Sequence, residues 1–173
     1  PRELPAALIR AVVDKQIACN MLVNTTTGEA WTKHTKDREA ALKKLAEEAA
    51  KAGTATRAKT SAELRKQAAD TGEEMELRRK NATALIAAGA VVTLGTDNYW
   101  AAAAELSRAP KPETQDHGMG TILAIEGLVE LGMTPLQAIV AGTKNGAFAA
   151  GRTADLGTLE KGIVGMISHL GAM

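Results

Sequence analysis

The chain has 173 residues, and its 21 basic and 20 acidic side chains leave a net charge of +1, which gives no footing for binding nucleic acid or an anionic membrane through bulk charge. Cys19 is the single cysteine, which excludes an intrachain disulfide and a zinc cluster built on thiolates. Hydrophobic residues at 45% can supply the core of one domain spanning 1–173, but aromatics at 2% leave that core to Ala, Leu, Ile, Val and Met.

No run reaches the roughly 18 apolar residues of a membrane span. The opening "PRELPAALIR" has no apolar signal core. The expectation is therefore a soluble chain, cytoplasmic by default. The missing initiator Met fits a processed, trimmed or partial chain.

In chain order, "ELPAALIRAVVDK" (3–15) predicts a short amphipathic helix with Ala7, Leu8, Val12 and Val13 on one face. "QIACNMLVN" alternates Ile17, Cys19, Met21 and Val23, which predicts a strand with Cys19 buried and inert. "NTTTGEAW" reads as a turn or loop, and His34 in "WTKHTKD" as solvated.

Residues 36–88 are the most charged part and predict a solvated helical hairpin. Its first helix, about 36–52, carries Leu42, Leu45, Ala46 and Ala49 as a stripe, an i,i+4 pair Glu39–Lys43 opposite, and Gly53 as its cap. Thr60 and Glu63 form a capping box for the second helix. Leu64, Ala68, Met75, Ala82, Leu85 and Ile86 line its inner side, and Gly89 ends it. Glu74–Arg78 and Glu76–Lys80 add i,i+4 pairs.

"AVVTLGTD" predicts a strand buried on both faces, because its apolar run does not alternate. "NYWAAAAELSRAPKPETQD" is a long connection, and loops of that length often carry function. A helix over 118–131 follows. Thr134, Pro135 and Gln137 then form an N-cap, a first-turn proline and a capping box for a helix to about Ala150. The tail offers one strand, Ile163–Ser168, broken by Gly165.

This alternation predicts a helix-rich α/β fold with parallel strands. Two strands are too few for a stable sheet. The chain is thus part of a larger barrel, is completed by other subunits as a homo-oligomer, or packs as a mainly α domain.

The polar residues at the end of the second strand are the candidates for chemistry. Asp97 follows Gly95 and Thr96, where a carboxylate either caps a turn or does chemistry. Asn98, Tyr99 and Trp100 come next and either line a pocket or anchor a core. His117 reads as a helix N-terminal residue behind the cap Asp116.

The segments "AAGAVVTLGTDN" and "HGMGTILAIEGLVELGMTPLQAIVAGTKNGA" resemble the C-terminal part of the amidohydrolase superfamily, in its imidazolonepropionase- and prolidase-like branch. The shared features run in order: a strand ending G-T-D, then H-G, then a helix ending in G-M-T-P. An A-T-x-N-x-A pattern follows, seen here as Ala141-Gly142-Thr143-Lys144-Asn145-Gly146-Ala147, and "GTLEKG" resembles the turn into a small β-domain, which makes 157–173 a remnant of it. The strongest likeness covers about 85–162.

The resemblance implies the last two βα units of a (β/α)8 barrel, with 36–88 as an inserted hairpin. It implies a divalent metal, zinc by preference, at the strand ends. Asp97 would serve as metal ligand and general base, and His117, Asn98 and Tyr99 would contact substrate. The implied reaction is hydrolysis of an amide, cyclic amide or ester.

The chain also departs from that pattern. It has no H-x-H pair, its only histidines are His34, His117 and His169, and Ile163-Val164-Gly165-Met166 stands where an A-D-L-V run is expected. The contrasting expectation is a non-catalytic, self-associating domain of amidohydrolase descent.

Overall fold

The computed structural model describes residues 2–51, 74–97 and 118–161. Thr60, Glu63, Leu64, Ala68, Asn98, Tyr99, Trp100, His117, His169 and the 163–168 strand lie outside them. Within them the chain is a helix-rich α/β structure. The elements are α1 (Ala6–Asp14), β1 (Cys19–Met21), a 3-10 turn (Val23–Thr25), α2 (Gly28–Lys51), α3 (Glu74–Ala87), β2 (Val92–Leu94), α4 (Met119–Glu130), α5 (Pro135–Gly142) and α6 (Lys144–Ala149).

The two strands pair in parallel, with Cys19, Asn20 and Met21 opposite Val92, Thr93 and Leu94. Side chains alternate across a strand, so Cys19, Met21, Val92 and Leu94 share one face and Asn20 and Thr93 the other. The first face is the core. Met21, Val23 and Val92 pack with Ala82 and Leu85 of α3, Ala124 and Leu128 of α4, and Ala138 and Ala141 of α5. Four alanines in that contact let the helices approach closely, which is how a chain with so few aromatics fills its interior.

Several elements differ from the sequence expectation, each for a physical reason. In α1 the packed residues are Ile9 and Val12, joined by Leu4, while Leu8 is exposed. The helix ends at Lys15, and Gln16 adopts φ 50 so that the Ile17 N–H can reach back to the Val12 carbonyl at 3.0 Å. Asn81 fixes the segment before α1. Its side chain accepts from the Leu4 N–H at 2.9 Å and donates to the Arg2 carbonyl at 3.0 Å.

The second helix starts at Gly28, inside the segment expected to be a loop. Its first N–H donates to the Glu130 carboxylate at 2.7 Å, a partner 102 residues away. A carboxylate at a helix start satisfies an orphan donor and complements the dipole. His34 is therefore helical and half-buried, its ring 5.7 Å from that of Trp31.

In α3 the Glu74–Arg78 pair forms at 2.6 Å. Glu76 instead pairs with Arg38 of α2, and Lys80 with Glu3. Ala82 and Leu85 turn into the core, and Gly89, at φ 77, closes the helix as expected. The Gly89 N–H donates to Ile86 and the Ala90 N–H to Leu85, the double reach-back of a Schellman cap.

The Thr134–Gln137 capping box is present, with Pro135 in the first turn. The helix it starts breaks at Thr143 (φ -123, ψ -87), and α6 begins afresh. The break lets Asn145 donate to the Val92 carbonyl at 2.8 Å. Carbonyls alternate between the two edges of a strand, and the Cys19 N–H takes that of Val91, so Val92 points away from β1. Asn145 thus covers the outer edge of β2.

Candidate functional site

The polar groups of the sheet gather at the C-terminal end of its strands. After Leu94 the chain passes through Gly95 and Thr96 to Asp97, which is exposed and adopts φ 53. That left-handed conformation is uncommon outside glycine, and aspartate is among the few side chains that tolerate it. The approach is braced on both sides. The Gly95 N–H donates to the Met21 carbonyl at 3.0 Å, and Asn24, only 1% exposed, donates its amide to the Thr96 carbonyl at 2.9 Å. Asp97 therefore carries its carboxylate into solvent on a fixed strand end.

Beside it lies the polar face of the sheet. Asn20 is exposed, and its Oδ1 accepts from the Thr93 hydroxyl at 3.4 Å. The amide lies flat against Gly95: a Cβ there would sit 2.6 Å from Asn20 Oδ1 and 2.8 Å from Nδ2. Glycine at 95 is what allows the asparagine to occupy that place.

A cavity of about 390 Å³ is lined by Asn24, Thr27, Glu29, Glu126 and Glu130. Glu130 is committed to structure: it pairs with Arg79 at 2.6 Å and accepts from Gly28. Arg79 in turn donates to the Thr26 carbonyl at 3.0 Å and lies 5.1 Å from the centre of the Trp31 ring. No short stretch of sequence announces this hub, because its members come from α2, α3, α4 and the turn before α2.

Of the sequence-derived site residues, Asp97 stands at the strand end as expected. Asn98, Tyr99 and His117 belong to the undescribed segment. Asn20 and Asn24 were missed, and Asn145 stood only as the asparagine of the A-T-x-N-x-A pattern. For the first two the signal was an asparagine in or next to an apolar strand, a poor β-former that needs a local reason. Among the described residues no three His, Cys, Asp or Glu side chains come together in a way that could hold a metal ion. Structural zinc takes four ligands and catalytic zinc about three. Asp97 suits such an ion as one ligand, and the described residues do not complete a site. Cys19 is half-buried in β1, and burial pushes its thiol up from the ordinary range. No helix among the described residues is long and apolar enough to cross a membrane.

The two strands pair in parallel with helices between them, and a carboxylate stands just past the second strand. Over 85 residues the chain is 39% identical to the imidazolonepropionase of Haloarcula marismortui, a stretch covering 49% of this chain and 17% of that protein. The likeness is partial and distant, and it is amidohydrolase-like in kind. No family model matches the chain, and no solved structure does.

Proposed function

We propose that the chain is a segment of an amidohydrolase-like hydrolase acting on an amide, cyclic amide or ester of a small molecule. In this reading β1 and β2 are neighbouring strands of a (β/α)8 barrel, and α2 with α3 is an inserted hairpin. The observation that carries it is Asp97: exposed, in a left-handed conformation, on a strand end braced by Asn24. Backbone held in a sparsely populated region concentrates at functional sites. The likeness to an imidazolonepropionase supports the same class.

A divalent ion such as zinc supplies a polarising charge to this chemistry when bound. The step this chain's own residues perform is proton transfer. The Asp97 carboxylate accepts a proton from water as its oxygen bonds to the substrate carbonyl carbon. It then gives that proton to the leaving nitrogen or oxygen as the carbon–heteroatom bond breaks. The test is turnover of hydantoin and p-nitrophenyl acetate by the purified chain, with bound metal quantified in parallel. Asp97→Asn should remove turnover and leave the fold intact. Full activity in that variant excludes the mechanism.

A second reading is favoured by the surface. Leu136 is 71% exposed, Ile139 50% and Phe148 43%, all on α5 and α6. An apolar surface of this kind beside a two-stranded sheet suits a self-associating domain. Light scattering across concentrations separates the two: an assembly dissolved by Leu136→Glu supports this reading, and a concentration-independent monomer rejects it.

A further inference from the structure

Three departures from local preference meet at one end of the sheet. Asn20 occupies a strand position that favours β-branched or aromatic residues, and Gly95 ends a strand where a side chain would normally pack. Asp97 turns the chain at φ 53. Such conflicts collect where function, rather than folding, selects the residue. They are also connected. Asn20 stands opposite Thr93 in the register and its amide rests on Gly95, two residues before Asp97.

The orientation of Asn20 decides what it can offer. Its Oδ1 takes the Thr93 hydroxyl, and Gly95 lets the amide lie flat. The residue is exposed, which gives a ligand access to its amide. An amide nitrogen carries two donors and no acceptor capacity. A group held this way recognises a carbonyl oxygen.

We infer that Asn20 is a substrate-positioning residue whose side-chain NH2 donates to the carbonyl oxygen of a small amide or cyclic amide lying beside the Asn20 amide at the strand ends, with its reacting carbon toward Asp97. The inference rests on the hydrolase reading above and deepens it. Asn20 takes no part in bond making. It fixes which face of the carbonyl meets the Asp97 end.

Asn20→Asp is the discriminating variant. It keeps the shape, the acceptor for Thr93 and the contact with Gly95, removes the donors and adds a charge. Asn20→Ala guards against an effect of the added charge. Hydantoin is titrated into the isotopically labelled full chain and followed by NMR, with turnover measured separately. The expected result is a shift of the Asn20 side-chain NH2 and the Gly95 amide, and affinity weaker by about tenfold in both variants, the scale of one hydrogen bond lost to a bound ligand. Unchanged thermal unfolding of Asn20→Asp would show that the loss is not structural. Affinity equal to the parent in both variants, or no hydantoin response at these residues, overturns the inference. Binding with the expected Asn20 dependence, but no turnover of hydantoin by the parent chain, rejects the hydrolase reading and leaves the Asn20 contact standing.

Discussion

The side-chain amide of Asn24 donates to the main-chain carbonyl of Thr96 at 2.9 Å, joining the end of β1 to the end of β2 across 72 residues of sequence. This bond fixes the residue immediately before Asp97. Asn24→Ala removes it, a loss of about 1 kcal/mol, the net worth of one hydrogen bond. Urea unfolding should show a lower midpoint with the same slope. Any hydrolysis should fall further than stability does, because the Asp97 strand end loses its brace.

Asp97 offers a separate test through its backbone. At φ 53 glycine is easier than any L side chain. Asp97→Gly should therefore relieve about 1 kcal/mol of backbone strain, part of which glycine's extra freedom in the unfolded chain takes back. It should also abolish hydrolysis. Stability gained with activity lost is the signature of a residue kept for function. A drop in melting temperature would show that the carboxylate is holding the fold.

Gly127 lies where α4 crosses the turn before α2, and a Cβ there would overlap the Thr27 hydroxyl. That hydroxyl is fixed by donating to the Val23 carbonyl at 2.7 Å. Gly127→Ala should cost about 1–3 kcal/mol by overpacking. Gly146, with open space around it in α6, is the control. Gly146→Ala should stabilise by up to ~1 kcal/mol through helix propensity. Thermal unfolding of the pair measures both signs in one scaffold.

Arg79 ties α3 to α2 and α4 through the Thr26 carbonyl, the Trp31 ring and Glu130. Its side chain is 25% exposed and that of Glu130 37%, so solvent screens part of the pair. Arg79→Lys keeps the charge but not the planar fork, and should lose about 1–2 kcal/mol. A double-mutant cycle with Glu130→Gln should show coupling below the sum of the single losses, since Glu130 also holds the Gly28 N–H.

Cys19 links stability to pH. Its thiol is raised above the ordinary 9.0 by burial. Folding therefore favours the protonated form, so its contribution is complete below pH 9.0 and fades as pH rises through the higher folded value. Alkylation by iodoacetamide should be slower in the folded chain than in urea at the same alkaline pH. Equal rates would show that β1 does not shield the thiol.

Much of the fold was legible locally. The Thr134–Gln137 capping box, the Gly89 stop and the "AVVTLGTD" strand depend on contacts within a few residues, and all three are present. The start of α2 was not legible, because its first N–H is satisfied by Glu130 from a distant helix. Nor was the break at Thr143, which exists so that Asn145 can cap the Val92 carbonyl. At the site, the strand-end Asp97 could be read from "GTD", whereas Asn20 and Asn24 gained meaning only from their neighbours across the sheet.

The sequence by itself determined the alternation of helices and strands and the position of the terminal carboxylate, because periodicity, caps and turn residues act over short range. Tertiary structure decided which polar side chains surround that carboxylate. Parallel pairing of Cys19–Met21 with Val92–Leu94 brings Asn20 onto Gly95 and Asn24 onto Thr96. That register is set by burying Met21 and Val92 together against α4 and α5, a non-local packing energy that no short stretch of sequence carries.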